Sequence, residues 1–382
     1  MFDYYLKNGK VYINHAFEEM TVGVYNGKIR LLSADDKLPE EADIIDASGK
    51  KVVPGFIDIH SHGAAGVDVN EAAAEGLETI CKAVARCGTT SWLASVLTDT
   101  EEQTKRCIDE FKKHRNMEHK GADLLGIHLE GPFLCSMYKG AMPEHLLQMP
   151  NMPLLREYQK RAGGYIKYIT ISPEVEGIVD DIPEMTELGM AVAIGHSGAD
   201  YDTSWRAIHN GVSACTHTFN AMKLMHQHFP GIMGAVLESD IYCEAICDGR
   251  HLHPGVVRLL IKTKGLDKVI AITDSIMAAG LSDGQYRLGV NHVIVKDGDA
   301  RLEDGTRAGS TLTQNVALKN LLAFTGRPLE EVLPLLTENP AKLVDVYDKK
   351  GSLEDGKDAD IVVLDEKNDV FEVFVQGRKI QR

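Results

Sequence analysis

Apolar and polar positions along this chain fall into three textures. Residues 1–50 carry short β-prone runs, Tyr4–Leu6, Val11–Ile13, Thr21–Tyr25, Ile29–Leu32 and Ile44–Ile45, punctuated by turn residues at Gly9, Asn26-Gly27 and Gly49. The C-terminal tail repeats that texture at Asp360–Leu364, Val370–Val375 and Lys379–Ile380. Between them, unbroken apolar runs alternate with helix-like stretches. The runs are Phe56–His60, Thr89–Leu97, Leu124–Glu130, Tyr165–Ile171, Met190–His196, Ala214–His217, Ile241–Cys247 and Val269–Asp274. The helical stretches include Glu75–Cys87, Glu101–Arg115, Leu154–Arg161, Asp202–Asn210 and Pro254–Thr263.

Strands that are apolar without alternation belong to a sheet covered on both faces, and a strand–helix rhythm of this length predicts a parallel (β/α)8 barrel. Neither end has enough strands to be stable alone. The expectation is therefore an α/β fold: a TIM-like barrel over residues 54–347, beside a small β-sandwich built from residues 1–53 and 348–382. Leu281–Thr306 reads as a hairpin insertion after the eighth strand.

Composition narrows the function. The 382 residues carry a net charge of −15, which argues against a nucleic-acid footprint and favours a small-molecule enzyme. No stretch is long and apolar enough to span a membrane, and the N-terminus lacks a signal-peptide pattern. The seven cysteines form no C-x-x-C pair and read as reduced thiols, so the expected setting is cytoplasmic.

The candidate chemistry sits at strand ends. In a barrel, the C-terminal ends of the strands meet around one site. The polar residues there are His60, His62, Glu130, His196, His217 and Asp274, all metal-ligand or acid–base types. His60 and His62 stand i, i+2 on a strand and so share a face, a bite for a divalent metal. His128, two residues before Glu130, is either a support for a ligand or a core histidine.

In order, the motifs H-x-H, H-L-E-G-P-F, G-H-S, H-x-x-N-A-M, D-G-x-H, T-D and A-G-S run through nearly the whole chain. Together with the tail TENPAKLV…GSLEDGKDADIVVLD, they resemble the N-acetylglucosamine-6-phosphate deacetylases of the amidohydrolase superfamily. The resemblance implies that Glu130, His196 and His217 are the principal ligands of a divalent metal, zinc or iron. Some members lack H-x-H and hold one ion; this chain has it, so one or two ions per chain are expected, the second on His60 and His62 bridged by Glu130, and the resemblance makes Asp274 the catalytic acid/base. Ala141, Asn220, Ala221, His251 and the Arg307–Ala308–Gly309 backbone become substrate contacts, and a homodimer is expected. Two positions depart from the family. Met142 stands where members carry His or Gln, and His228 stands where they carry an arginine that clamps phosphate. Histidine is a weaker, pH-dependent anion partner than a bidentate guanidinium. Two readings stay open: drift with unchanged role, or a changed substrate such as N-acetylgalactosamine 6-phosphate or an unphosphorylated N-acyl compound. A catalytically silent barrel used for binding is disfavoured, because every ligand position is filled.

Overall fold

The computed structural model describes residues 3–381. Eight parallel strands form the central sheet: β1 (Phe56–Ser61), β2 (Thr89–Leu97), β3 (Asp123–Glu130), β4 (Ile166–Ile171), β5 (Ala191–Ile194), β6 (Val212–Cys215), β7 (Tyr242–Ile246) and β8 (Val269–Ile272). They pair in sequence order from β1 to β8. The seam between β8 and β1 is closed by a parallel bridge between Ser61 and Ser275 and by two backbone bonds. These run from Asp274 N to His60 O (2.8 Å) and from His62 N to Ser275 O (2.7 Å). Thr273 Oγ1 adds a bond to the Asp58 carboxylate at 2.6 Å. The seam thus joins the H-x-H segment to Asp274, the first and last pieces of the candidate site.

The apolar runs are strands because both faces are covered. Every residue of β1, β2 and β8 is buried. On one face, the strands pack against the flanking helices in the largest apolar cluster, which includes Trp92, Ile127, Ile169, Val192, Cys243 and Ala271. A separate cluster holds Leu93, Tyr168, Ala193, Ile246, Ile270 and Ile272. Leu93, Tyr168 and Ile272 sit two residues before Ser95, Thr170 and Asp274, so alternation puts them on the site-bearing face. They form the floor on which the polar groups stand.

The termini meet as expected. Ile361–Leu364 pairs antiparallel with Lys51–Pro54, which pairs in turn with Lys10–Ile13. The long strand Ala16–Tyr25 carries Lys10–Ile13 on its first half and Tyr4–Lys7 with Lys28–Ser33 on its second. The resulting nine-stranded sheet encloses its own core of Leu6, Val11, Val22, Val24, Ile361, Val363 and Phe374.

Three local features differ from the sequence reading. The insertion is a three-stranded antiparallel sheet, Gly284–Leu288, Asn291–Lys296 and Asp299–Arg301, rather than a hairpin. The helix Ile178–Glu187, not among the helical stretches named above, runs through Pro183 although proline disfavours a helix interior. Proline has no N–H for the carbonyl of Val179, and Asn210 Nδ2 supplies that bond instead at 3.1 Å. Strands β5, β6 and β8 stop two residues short of His196, His217 and Asp274. Those three residues lie on the first turn beyond the sheet with φ of 48°, 26° and 49°.

Candidate active site

The strand ends bring two groups of donors together around Glu130, the last residue of β3. Its Oε1 lies 3.0 Å from His196 Nε2 and 3.2 Å from His217 Nε2, and the two imidazole nitrogens are 3.0 Å apart. Its Oε2 faces the other way, 3.2 Å from His62 Nε2. His62 Nε2 is also 3.2 Å from Asp274 Oδ1 and from His60 Nε2. Two sets of three buried donors result, Glu130–His196–His217 and His60–His62–Asp274.

Positive φ is costly for a residue with a side chain and is retained when the surroundings fix it. The neighbours here do so. Gly140, itself at φ 56°, passes so close to His196 that a Cβ would sit 3.2 Å from its Cε1. Gly309 at φ 61° passes under Asp274, where a Cβ would be 2.8 Å from its carbonyl oxygen. These close approaches are why glycine stands in the K-G and A-G-S motifs.

Partners on the far ring nitrogens orient the imidazoles. His62 Nδ1 lies 3.1 Å from the carbonyl of Ser95, and His196 Nδ1 lies 3.0 Å from that of Tyr138. His60 Nδ1 is 3.0 Å from Glu244 Oε2, which also accepts from His217 N at 2.9 Å. An N–H donated at Nδ1 leaves the Nε2 lone pair aimed inward, the tautomer a metal requires. His217 Nδ1 has no hydrogen-bond partner among the described residues. His128 is held between Ser95 Oγ and Thr170 Oγ1, both at 2.9 Å, and packs edge-on against the His60 ring at 4.5 Å. It is a core histidine that also supports a ligand's ring.

The electrostatics call for a cation. Burial opposes charge on Glu130, yet His60, His196 and His217 hold its carboxyl well below the usual range. Burial likewise opposes charge on Asp274, and His60 and His62 pull it down. Burial also works against a charged His60, but Glu244, Asp274 and Glu130 hold it well above the ordinary imidazole value. His62 is pushed up to about 9 against burial by Asp274 and Glu130. Carboxylates thus outweigh desolvation and concentrate negative potential where the imidazole nitrogens converge. Ring nitrogens 3.0–3.2 Å apart, each also facing a carboxylate, match atoms sharing a divalent ion better than a hydrogen-bond network.

A cavity of about 210 Å³ opens above these donors. Ala141, Asn220, Ala221, His251, Arg307 and Gly309 line it, as do Leu97, Met142 and Leu288. His251 is braced by Asp248, with Nδ1 2.7 Å from Oδ2. Two expected contacts are placed elsewhere. Ala308 is fully buried, its N–H donating to Ala300 O, and only its neighbours reach the cavity. His228 is exposed on the segment after Met222 and is not among the cavity-lining residues. Its N–H donates to His226 Nδ1 at 3.2 Å.

Sequence reasoning missed Glu244 and Asp58. Each is a lone carboxylate inside an apolar strand, which is the signal that could have found them. Burial pushes Asp58 up to about 6, against hydrogen bonds from Thr273 and the His60 N–H.

The sequence profile of the Amidohydrolase family matches residues 51–380. The chain is 34% identical over 369 residues to an N-acetylglucosamine-6-phosphate deacetylase of Bacillus subtilis, covering 95% of this chain and 93% of that one. A crystal structure of the deacetylase of that name from Pasteurella multocida superposes with a TM-score of 0.94 at 32% identity, covering 99% and 100% of the two chains. The Mycobacterium smegmatis enzyme, solved as a mutant in complex with N-acetyl-D-glucosamine-6-phosphate, superposes with a TM-score of 0.91 at 29% identity, covering 99% of each. With its donors converging at the C-terminal end of a parallel barrel, the chain belongs to the amidohydrolase family and, within it, to the N-acetylglucosamine-6-phosphate deacetylases.

Proposed function

We propose that this protein hydrolyses the N-acetyl group of N-acetylglucosamine 6-phosphate to give glucosamine 6-phosphate and acetate. The observation that carries the reading is the convergence of Glu130, His196 and His217 opposite Asp274 on one small cavity. A divalent ion bound there supplies Lewis acidity, polarising an amide carbonyl and acidifying water. Glu130, His196 and His217 would hold it. His60 and His62 would hold a second, with Glu130 offering one oxygen to each group, as its two facing directions support. Zinc or iron suits a mixed imidazole–carboxylate set.

The chain's own residues do the rest. Asp274 accepts a proton from water on the path to the carbonyl carbon and returns it to the departing amine nitrogen, so protons balance over the cycle. Leu97, Met142 and Leu288 give the cavity an apolar wall suited to the acetyl methyl group. Asn220 and the Ala221 and Gly309 backbone offer polar contacts to the sugar. His251 and Arg307 are the cavity's nitrogen donors for the 6-phosphate. His228 remains an outer anion contact, on an exposed segment. The same segment exposes Leu224, Met225 and Phe229, which supports association into a homodimer. A cytoplasmic setting completes the reading.

A second reading keeps the metal chemistry and changes the substrate. Met142 at the cavity wall and His228 outside it favour that reading. One panel separates the two: acetate release from the gluco and galacto N-acetylhexosamines, each with and without 6-phosphate, alongside elemental analysis. The proposal expects at least one divalent ion per chain and a preference for N-acetylglucosamine 6-phosphate. Equal turnover of phosphorylated and free sugars would move the enzyme to the second reading. Full activity in metal-free protein would end both.

A further inference from the structure

A second cluster of metal-ligating side chains lies outside the barrel, between the helices Ala74–Arg86 and Glu101–Arg115 and the loop 116–122. Glu78 and Cys81 are i, i+3 on the first helix, and His114 closes the second. All three are buried, at 5%, 0% and 1% exposure. His114 Nε2 lies 3.1 Å from Glu78 Oε2 and 3.8 Å from Cys81 Sγ. His119, from the loop, brings Nδ1 to 3.8 Å from the same Glu78 oxygen, with its ring 4.6 Å from that of His114.

Hydrogen bonding explains only part of this. The Glu78–His114 contact is a good pair, but it leaves Cys81 Sγ 3.8 Å from His114 Nε2, and His119 Nδ1 has no hydrogen-bond partner among the described residues. At 3.8 Å, His119 and Glu78 are too far apart to bond. Four ligands on a tetrahedral ion with bonds of ~2.0–2.3 Å stand about 3.3–3.6 Å apart, a spacing that the contacts of 3.1 and 3.8 Å bracket. The surroundings are built for such a group. Trp92 Nε1–H donates to Cys81 Sγ at 3.3 Å, the kind of outer bond that steadies a ligating sulfur. Lys120 N–H donates to the other Glu78 oxygen at 2.8 Å, fixing the carboxylate. Gly121 packs so tightly on the helix that a Cβ would fall 2.3 Å from Cys81 C, which pins the loop over the sulfur.

We propose that Glu78, Cys81 and His114 form a structural site for one zinc-class divalent ion, separate from the catalytic centre. A thiolate, a carboxylate and a neutral imidazole neutralise a 2+ charge, which suits a buried position. The thiolate selects borderline-soft ions over magnesium or calcium. Burial pushes the Cys81 thiol up, so binding releases one proton from its sulfur to solvent as the S–metal bond forms. The half-exposed His119 is the entry side. The bound ion staples the two helices together.

The test uses the full chain loaded with Zn²⁺ alone, or with Co²⁺ alone, and then dialysed. The cobalt protein should show a thiolate-to-cobalt charge-transfer absorption in the near ultraviolet, which the nitrogen and oxygen donors of the catalytic centre cannot give. Cys81→Ala should abolish that absorption and bind one zinc fewer per chain than wild type, with deacetylase kcat within twofold of it. Glu78→Gln is the fallback should that variant fold poorly, and it should also lose one equivalent. Absence of the absorption in cobalt-loaded wild type, its persistence in Cys81→Ala, or unchanged zinc content in folded variants would overturn the proposal.

Discussion

Glu244 is the most informative position to perturb. Its Oε2 accepts from His60 Nδ1 at 3.0 Å and from His217 N at 2.9 Å, so one oxygen orients a member of each donor group. Its Oε1 has no hydrogen-bond partner within bonding geometry among the described residues, although the Tyr168 hydroxyl interacts with the carboxylate. In Glu244→Gln the amide oxygen can therefore take the bonded side and the amide nitrogen the free side. Geometry is kept and only the charge is lost. A charge-assisted hydrogen bond is stronger than a neutral one by about 1 kcal/mol, so divalent-metal affinity should fall about fivefold. Glu244→Ala removes both bonds and frees the His60 ring to rotate or change tautomer. Loss of such outer partners typically costs 10–100-fold in metal affinity, or about 1.4–2.7 kcal/mol.

Chelator-competition titration on the apo-protein gives metal Kd for wild type and both variants, and kcat at saturating metal gives the rest. Affinity should fall in the order wild type, Gln, Ala, with kcat largely recovered when metal is in excess. Unchanged affinity in folded Glu244→Ala would refute it, because the His60 ring would then be held by something other than Glu244. A Gln variant as weak as Ala would place the effect in charge rather than orientation.

Asp274→Asn keeps size but cannot accept a proton, so kcat should fall about 10²–10⁴-fold while elemental analysis still finds metal. His251→Gln should raise KM for the phosphorylated sugar and leave that for the free sugar unchanged, as measured by initial-rate kinetics on both. Lys350 is buried among Asp123, Asp358 and Asp360, with contacts of 3.0, 3.1 and 2.7 Å, and joins the first residue of β3 to the terminal sheet. Lys350→Met should cost about 3–5 kcal/mol, or ~4–6 °C in Tm by calorimetry for a chain of this length. The three aspartates hold the folded-state pKa of Lys350 above 10.5 against burial, so its contribution is complete below that pH and is lost only as pH rises through the folded value. The Tm gap between variant and wild type should thus be flat through neutrality and narrow in strong alkali.

What was legible in the sequence follows from what each signal measures. The barrel was legible because buried parallel strands need apolar residues on both faces, and β2 carries nine buried residues in a row. The convergence of the candidate donors was legible because they stand at the ends of those strands, three of them, His62, Glu130 and His196, beside a glycine. Glu244 and Asp58 were not, because one carboxylate within an apolar run registers as an interruption until alternation aims it inward. The fate of His228 was not legible either. A motif fixes the order of residues, while the side a loop takes beyond β6 depends on packing that the motif does not encode. The helix through Pro183 exists because Asn210, 31 residues away from Val179, supplies a donor that no local window contains.

Three of the site residues share a property that ties fold to chemistry. His196, His217 and Asp274 all lie in the left-handed region, two residues past the ends of β5, β6 and β8. Such a conformation costs roughly 1–2 kcal/mol for a residue with a side chain. Were these residues still in their strands, their side chains would follow the pleat and point across the barrel rather than up into its mouth. The kink at each strand end turns the side chain toward Glu130, which remains in its strand and acts as the fixed point. The cost is met by tertiary contacts: Gly140 against His196, Gly309 beneath Asp274, and the Glu244 carboxylate on the His217 N–H. The residues that hold these kinks therefore belong to the site as much as the ligands do, although none of them need ever touch the substrate's reacting atoms.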